Sequence, residues 1–270
     1  MMTRKKLILA CLAATIAAAS LLVYTMLRST TPDPRPTQPK PPKPAPSAPR
    51  PTPPPTLAKN RTPTFDKQRF SLDDPQSLWV VVNKRRPLQP ATYTPADLTT
   101  PNVPLRAPGR ASMQLRRDAA AALEAMFAAA KQAGAPMMVS SGYRSYTVQT
   151  SLYKGYTARY GQAAADSFSA RPGHSEHQTG LAVDVAPTNW QCVVEACFAE
   201  LPAGQWVAAH AWEFGFIVRY PADKTAITGY TYEPWHLRYT GKELAKEMHT
   251  KGVTTLEAFF ELPPAPDYRS

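Results

Sequence analysis

Cysteine is scarce in this sequence. Three cysteines occur among 270 residues, and Cys192 and Cys197 are the two that lie outside the N-terminal apolar run. No second Cys or His pair at ligand spacing accompanies them, which disfavours a zinc site built on these two thiols. Their five-residue separation fits a loop disulfide, a bond that an oxidising exterior permits. We therefore predict a Cys192–Cys197 disulfide, with two unpaired thiols as the alternative.

Acidic residues are also few, and their shortage is concentrated at the N-terminus. The chain has 31 Lys and Arg against 20 Asp and Glu, a formal charge of +11. Residues 1–63 hold ten of the basic residues and a single Asp, whereas residues 64–270 hold 21 basic and 19 acidic residues. Because this nearly neutral body lacks a basic motif, the sequence argues against a nucleic-acid binder.

Half of the residues in the segment that follows the first 30 residues lack a backbone hydrogen-bond donor. Thirteen of the 26 residues at 31–56 are proline, a density that cannot build a hydrogen-bonded helix or sheet. The composition therefore excludes a single 270-residue globule. We interpret residues 31–63 as a disordered Pro-rich linker and residues 64–270 as a domain long enough to bury its own core.

The N-terminal apolar run predicts export of this domain. Three basic residues precede an uncharged run at 7–27, which is long enough to span a bilayer. The positive flank favours a cytoplasmic N-terminus. We predict that residues 1–30 form a cytoplasmic N-terminus and an uncleaved transmembrane anchor, because the run continues past the small residues at 17–19. Cleavage at those residues, as in a signal peptide, is the alternative.

The body shows helix patterns and short strand patterns without a regular βαβ repeat. Strands are predicted at 78–82, 136–140, 181–185 and 216–219. Helices are predicted at 112–133, 146–160, 203–214 and 240–251, the last with a capping box formed by Thr240 and Glu243. Helices segregated from short strands predict the α+β class.

Two polar clusters are the candidates for chemistry: residues 171–184 and residues 232–236. Asp184 interrupts an apolar strand pattern, where a buried charge is costly unless it is paired or bound to a metal. Two imidazoles and one carboxylate would give zinc three ligands and leave a fourth position for water, which Glu233 could deprotonate. On spacing alone, a polar structural network explains these residues almost as well.

The spacing of these residues resembles that of a known family. The matching patterns are Ser-x-His-x-x-Gly-x-Ala-x-Asp at 175–184, Glu-Pro-Trp-His at 233–236 and Ser-Gly-Tyr-Arg-Ser-Tyr-x-x-Gln at 141–149. They resemble the VanY-type zinc D-alanyl-D-alanine carboxypeptidases of the M15 peptidase family (M15B). The resemblance covers roughly residues 78–240, with its motifs in the family's order, and the core positions show no departure.

The resemblance implies a role for each matching position. His177, Asp184 and His236 are the expected ligands of one Zn²⁺ per chain. Glu233 is the expected general base, and Arg144 is expected to face the scissile carbonyl oxygen, where its guanidinium would stabilise negative charge.

Further positions have weaker implied roles. Gln149 and Ser175 are similar to residues near the substrate's terminal carboxylate, although both could instead fix local turns. Tyr232 and Trp235 are expected to form pocket walls, with core packing as the alternative. His174 occupies a variable place in the motif and is left out of the metal set.

The implied fold is a small antiparallel sheet flanked by helices, as in Hedgehog and D,D-peptidase domains. The implied reaction is hydrolysis of the terminal D-Ala-D-Ala bond of peptidoglycan stem peptides, in cell-wall maturation or remodelling. The alternatives are an L,D-carboxypeptidase, an endopeptidase or a catalytically silent wall-binding module. We expect a monomer that is anchored in a bacterial cell membrane through residues 7–27, with its catalytic domain outside the cytoplasm.

Overall fold

A small antiparallel sheet lies at the centre of the structure, a computed structural model that describes residues 65–268. The strands are β1 (Leu98–Thr99), β2 (Leu115–Arg116), β3 (Met137–Ser141), β4 (Ala182–Pro187), β5 (Phe216–Tyr220) and β6 (Glu233–Tyr239). The helices are α1 (Arg117–Gln132), α2 (Tyr146–Tyr160), α3 (Gln162–Phe168), α4 (Pro202–His210), α5 (Thr225–Thr228), α6 (Lys242–Lys251) and α7 (Leu256–Phe259). This is an α+β domain, as the sequence predicts.

The central sheet has the strand order β3-β4-β6-β5, and every neighbouring pair is antiparallel. Strands β1 and β2 form a separate two-stranded ribbon. All six residues of β4 are buried, as expected for an inner strand covered on both faces. Asp184 lies in the middle of this strand, so the fold places a carboxylate where only apolar side chains would otherwise pack.

Helix α1 packs its apolar face into the main core. Its buried residues include Leu123, Met126 and Phe127, at the spacing of one helix face. Gly134 follows the helix with φ of +78°, the left-handed conformation that glycine adopts most readily after a helix. The helix begins five residues later than predicted, because the preceding residues form a short 3₁₀ turn and strand β2.

The strand predicted at 78–82 is wrong. Residues 79–82 are buried, but the segment begins in a turn at 78–79 and pairs with no strand of the central sheet. Val80 and Val82 pack into the main core, whereas Trp79 and Val81 pack into a second core beside α6. The apolar run therefore reflects a segment that lies between two cores and sends successive side chains into each of them.

The capping box predicted at Thr240 is also wrong. Helix α6 begins one residue later than a Thr240 cap requires, and its N-cap is Gly241, with φ of +81°. The Thr240 hydroxyl instead donates to the carbonyl of Gly215, at 3.4 Å, and to that of Gly241, at 3.5 Å. A tertiary contact has replaced the local hydrogen bond that the motif predicts.

The predicted anchor at 1–30 and the predicted linker at 31–63 lie outside the described residues. Within residues 65–268, no helix combines the length and the apolar character that crossing a membrane requires.

Candidate active site

Two neighbouring strands and the turn before one of them bring His177, Asp184 and His236 together. Asp184 on β4 is directly paired with His236 on β6. His177 lies in a 3₁₀ turn, Glu176–Thr179, that enters β4 through Gly180. Gly180 has φ of +68°, and a Cβ there would lie 2.9 Å from side-chain atoms of its neighbours, so the turn requires glycine. One potential ligand atom from each of the three residues lies within 4.8 Å of the others.

Hydrogen bonding fixes the orientation of the His177 ring. Its Nδ1 lies 2.7 Å from the carbonyl oxygen of Gly142, so Nδ1–H donates to that carbonyl. Nε2 is therefore the lone-pair nitrogen, and it lies 3.3 Å from Asp184 Oδ2. Burial lowers the pKa of His177, although Asp184 opposes the shift. The ring is thus held neutral, the form in which imidazole binds a metal.

His236 presents Nδ1 to the carboxylate of Asp184, whereas His177 presents Nε2. Its Nδ1 lies 3.1 Å from Asp184 Oδ1, and its Nε2 lies 3.5 Å from Glu176 Oε2. Burial disfavours the charged ring, but the carboxylates of Asp184 and Glu176 outweigh burial and raise the pKa of His236 to about 9. Without a metal, the His236 ring is therefore protonated at neutral pH.

The residues present fit a bound zinc ion. Asp184 Oδ1 is buried and makes no hydrogen bond to any residue in the described range 65–268, despite its proximity to His236. The pKa of Asp184 is held well below its usual range, because the two histidines outweigh the effect of burial. A buried, ionised carboxylate between two imidazoles matches the His and carboxylate ligands of catalytic zinc sites.

An irregularity in β6 brings Glu233 to the same side of the sheet. In a regular strand, residues three apart point to opposite faces. Here β5 pairs Val218 with Leu237 and Tyr220 with Glu233, so two steps along β5 correspond to four along β6. This bulge, which contains Pro234 and Trp235, brings Glu233 Oε2 to 3.8 Å from Nδ1 of His236. Burial raises the pKa of Glu233 to about 8, a value suited to proton transfer near neutral pH.

Arg144 lines the cavity that contains the three potential ligands, and two side chains hold its guanidinium. Its Nη1 donates to Gln149 Oε1 at 3.0 Å and its Nη2 to Ser141 Oγ at 3.2 Å. Gln149 is fully buried and also donates to the Ala170 carbonyl at 2.6 Å. Gln149 is not among the residues that line the cavity, so the structure makes it a support for Arg144 and does not place it at the substrate.

The remaining predicted residues divide into two groups. Ser175 and Trp235 line the cavity of about 290 Å³ that contains the three potential ligands. Tyr232 is half-buried and does not line it, so the pocket wall predicted at Tyr232 is not found there. His174 bonds through Nδ1 to the backbone oxygen of Asn83, at 2.8 Å, and does not line the cavity, in agreement with its omission from the metal set.

Glu176 is a site residue that the sequence did not reveal. Its Oε1 accepts from Arg219 Nε at 2.8 Å and from Arg238 Nη1 at 2.9 Å, and all three side chains are fully buried. Its Oε2 faces His236 Nε2. Glu176 thus places a carboxylate 3.5 Å from the second histidine, on the side where an outer carboxylate accompanies a metal-binding histidine. The available signal was an acidic residue beside His177, with an arginine in each of two apolar strand patterns.

Cys192 and Cys197 are bonded to each other, with their Cα atoms 5.6 Å apart. Their sulfur atoms are therefore not thiolate ligands. Within the described range, His177, Asp184 and His236 are therefore the one remaining group of three side chains that could hold a metal ion.

Together, these residues define a class of protein. A buried group of two histidines and one carboxylate, a buried carboxylate base and an arginine share one cavity, which is the arrangement of a mononuclear zinc hydrolase.

Comparison with known proteins identifies the family. The sequence model of the VanY D-alanyl-D-alanine carboxypeptidases matches residues 112–242. The Bacillus subtilis protein YodJ, whose name assigns it to the carboxypeptidases, is 40% identical over 192 residues, 71% of this chain and 70% of YodJ.

Solved structures that are similar to this chain agree with this family assignment. The LdcB LD-carboxypeptidase, whose structure reveals the molecular basis of peptidoglycan recognition, is similar at 40% identity and a TM-score of 0.66, over 69% of this chain and 87% of that one. The vancomycin-resistance D,D-pentapeptidase VanY in complex with Zn(II) is similar at 32% identity and a TM-score of 0.57, over 68% and 98%. The chain belongs to the VanY family and is a zinc-dependent carboxypeptidase.

Proposed function

We propose that this enzyme hydrolyses the terminal D-Ala-D-Ala bond of peptidoglycan stem peptides and releases D-alanine. The observation that carries the proposal is the position of Glu233, which the β6 bulge places 3.8 Å from a potential metal ligand in a cavity that Arg144 also lines. A silent wall-binding module would not need a buried base at this position. The family match to D-alanyl-D-alanine carboxypeptidases supports the same substrate class.

The chain's own residues divide the work of the reaction. His177, Asp184 and His236 would hold Zn²⁺, which would supply Lewis-acid polarisation of the scissile carbonyl and would lower the pKa of water. Glu233 Oε2 accepts a proton from the attacking water and delivers it to the departing amine. Arg144, fixed by its two hydrogen bonds, presents its guanidinium to the negative charge that develops on the carbonyl oxygen.

Cleavage of an L,D bond in a tetrapeptide stem is the second candidate. It is favoured by one comparison, since the LdcB LD-carboxypeptidase matches this chain at 40% identity whereas the D,D-pentapeptidase VanY matches at 32%. Both reactions use the same base and the same three ligands. They differ in the chirality and length of the peptide that the cavity accepts.

Product analysis separates the two candidates. The zinc-loaded protein is incubated with tri-, tetra- and pentapeptide stems, and the released amino acid is identified by chiral chromatography. We expect D-alanine from the pentapeptide and no release after chelation. Release from the tetrapeptide alone would establish the L,D reaction, and no release from any stem would contradict both.

We also propose that the enzyme acts outside the cytoplasm, tethered by the apolar run at 7–27 through the Pro-rich segment at 31–63. The support is the sequence alone: an uncharged run of bilayer length after three basic residues, followed by a proline-dense spacer. We expect full-length protein in the membrane fraction, with the catalytic domain accessible to external protease. A soluble exported protein that begins near residue 20 would instead establish a cleaved signal peptide. Gel filtration of the catalytic domain is expected to show a monomer.

A further inference from the structure

The loop closed by the disulfide, Cys192–Cys197, is anchored at both ends. At one end, Cys192 packs against the main core. At the other, Phe198 follows Cys197 and is fully buried. Helix α4 lies so close that a Cβ on Gly204 would come 2.0 Å from the Phe198 carbonyl oxygen, so this end cannot shift without displacing the helix. We call residues 192–197 the disulfide loop.

The tip of the disulfide loop reaches the active site. Val194 lines the cavity that contains the three potential metal ligands and is 44% exposed. Its φ is +59°, and that of Cys192 is +50°. A β-branched residue in the left-handed region is a conformational outlier, which persists where the surrounding structure imposes it. Here the cross-link and the two anchored ends impose it, and the result is an aliphatic side chain at the cavity.

The chemistry of Val194 restricts what it can contact. The cavity holds a charged part, which includes Arg144, Asp184 and Glu233, and an apolar part. The apolar part includes three side chains of α2 and α3, which are Leu152, Tyr156 and Phe168, and Trp235 of β6. Val194 adds two methyl groups from a distant part of the chain, and it has no polar side-chain atom that could join the proton transfer.

We propose that the disulfide loop is a specificity-determining wall, in which Val194 contacts apolar groups of the stem peptide beside the scissile bond and the Cys192–Cys197 bond holds Val194 in place. This inference rests on the proposed function, because it concerns the substrate of the same cavity. Contacts of this kind are made equally in the bound state and in the transition state. They therefore act on KM and on the choice between substrates, and leave kcat unchanged.

The first test compares two valines of the same loop. Val194→Ala removes methyl groups at the cavity, whereas Val193→Ala removes the same groups from a neighbour that does not line it. We expect Val194→Ala to raise KM for the preferred stem peptide by about three- to tenfold, the effect of one or two methyl contacts. The values of kcat and the zinc content should stay at the wild-type level in both variants, and KM should stay there in Val193→Ala.

The second test asks whether the disulfide acts through Val194. Cys192→Ser/Cys197→Ser opens the loop, and zinc content and melting temperature verify that the variant is folded. We expect a rise in KM at least as large as that of Val194→Ala. Adding Val194→Ala to the double serine variant should then change KM by less than twofold, because a side chain that is no longer held contributes little.

The outcomes separate this inference from the proposed function. If the wild type hydrolyses stem peptides but Val194→Ala and Val193→Ala have the same KM, the wall does not exist and the proposed function stands. If opening the disulfide leaves the Val194→Ala effect at full size, the cross-link does not position Val194. If the wild type hydrolyses no stem peptide, the proposed function fails and the inference falls with it.

Discussion

Two buried polar regions lie side by side in this domain and are completed in different ways. In the first, which we call the arginine network, Arg219 and Arg238 neutralise Glu176 and Glu257. Arg219 binds both oxygens of Glu257, at 2.9 and 2.6 Å, and Nε of Arg219 reaches Glu176. In the second region, the zinc site, Asp184 keeps a buried oxygen without a hydrogen bond to any described residue.

The difference shows how burial of charge can indicate either structure or function. The arginine network balances two carboxylates with two guanidinium groups, and it holds the protein together without any added group. The zinc site places the carboxylates of Asp184 and Glu233 beside two imidazoles, so without a metal its charge is balanced by protons on His236 and Glu233, which a bound cation would replace. Glu176 joins the two regions, because one of its oxygens faces the arginines and the other faces His236.

Removing the charge of Asp184 should have the largest effect. Asp184→Asn keeps the shape of the side chain but removes the carboxylate that the two histidines flank. We expect zinc affinity to fall by more than the ~10–100-fold that loss of an outer hydrogen-bonding partner costs. Activity should fall below detection. Zinc content by mass spectrometry and circular dichroism would check this, and wild-type zinc affinity in the variant would exclude Asp184 as a ligand.

Removing the base should separate chemistry from metal binding. We expect Glu233→Gln to lower kcat by about 10²–10⁴-fold, the typical contribution of a positioned proton-transfer group. The zinc content should remain that of the wild type, because Glu233 is not one of the three ligands. The measurement is steady-state kinetics on zinc-loaded protein, and full activity in this variant would overturn the role of Glu233.

Breaking the arginine network should reduce stability and leave the chemistry intact. Glu257→Ala leaves Arg219 with one of its two buried partners, and we expect the free energy of unfolding to fall by about 3–5 kcal/mol. The matched control is Glu261→Ala, which removes an exposed ion pair with Lys67 and should lower the free energy of unfolding far less. Urea unfolding measures both, and equal costs would mean that the network is not a stabilising unit.

Loosening Arg144 should have a smaller effect on catalysis. Gln149→Leu removes the hydrogen bond to Arg144 Nη1 while leaving the guanidinium itself, so we expect kcat to fall about tenfold, less than for loss of a charge-stabilising donor. Substituting Gln149 by Glu keeps an acceptor for Arg144 and should restore part of the loss. If Gln149→Leu raised KM alone, Gln149 would act on substrate binding, as the sequence predicts.

Zinc binding should release between one and two protons at pH 7: one from His236, and up to one from Glu233, whose pKa of about 8 a nearby cation lowers. The pKa of His236 is about 9 without a metal, so the ring is charged below that pH, whereas a metal-binding imidazole is neutral. Zinc affinity should therefore rise with pH up to about 9 and level off above it. Calorimetry in buffers of different ionisation enthalpy counts the protons, and a buffer-independent heat at pH 7 would contradict the account.

The three potential zinc ligands could be predicted from the sequence because their motifs are local and resemble those of the VanY family. His177 and Asp184 lie seven residues apart around a required glycine, and Glu233 and His236 lie three apart in one strand. The resemblance to the VanY family assigned these roles in advance. The β6 bulge, which brings Glu233 and His236 to the same side of the sheet, could not be predicted, since it depends on how β6 pairs with β5.

The arginine network escaped prediction because its partners are distant in the chain. Glu176 meets Arg219 and Arg238 from 43 and 62 positions away. The position of these arginines in apolar strand patterns was the only local signal, and it was a weak one, because arginine in a strand pattern normally indicates a solvent-facing side chain. The strand prediction at 78–82 failed for a related reason, because its successive side chains pack into two cores and not against two faces of a sheet.

The most direct test of the central claim is a crystal structure of the zinc-loaded protein with data collected on both sides of the zinc absorption edge. We predict one anomalous peak per chain, at about 2.0–2.2 Å from His177 Nε2, His236 Nδ1 and a carboxylate oxygen of Asp184. A peak elsewhere, or an empty site with the Asp184 carboxylate hydrogen-bonded to protein groups, would show that this region is a structural network like that of the arginines.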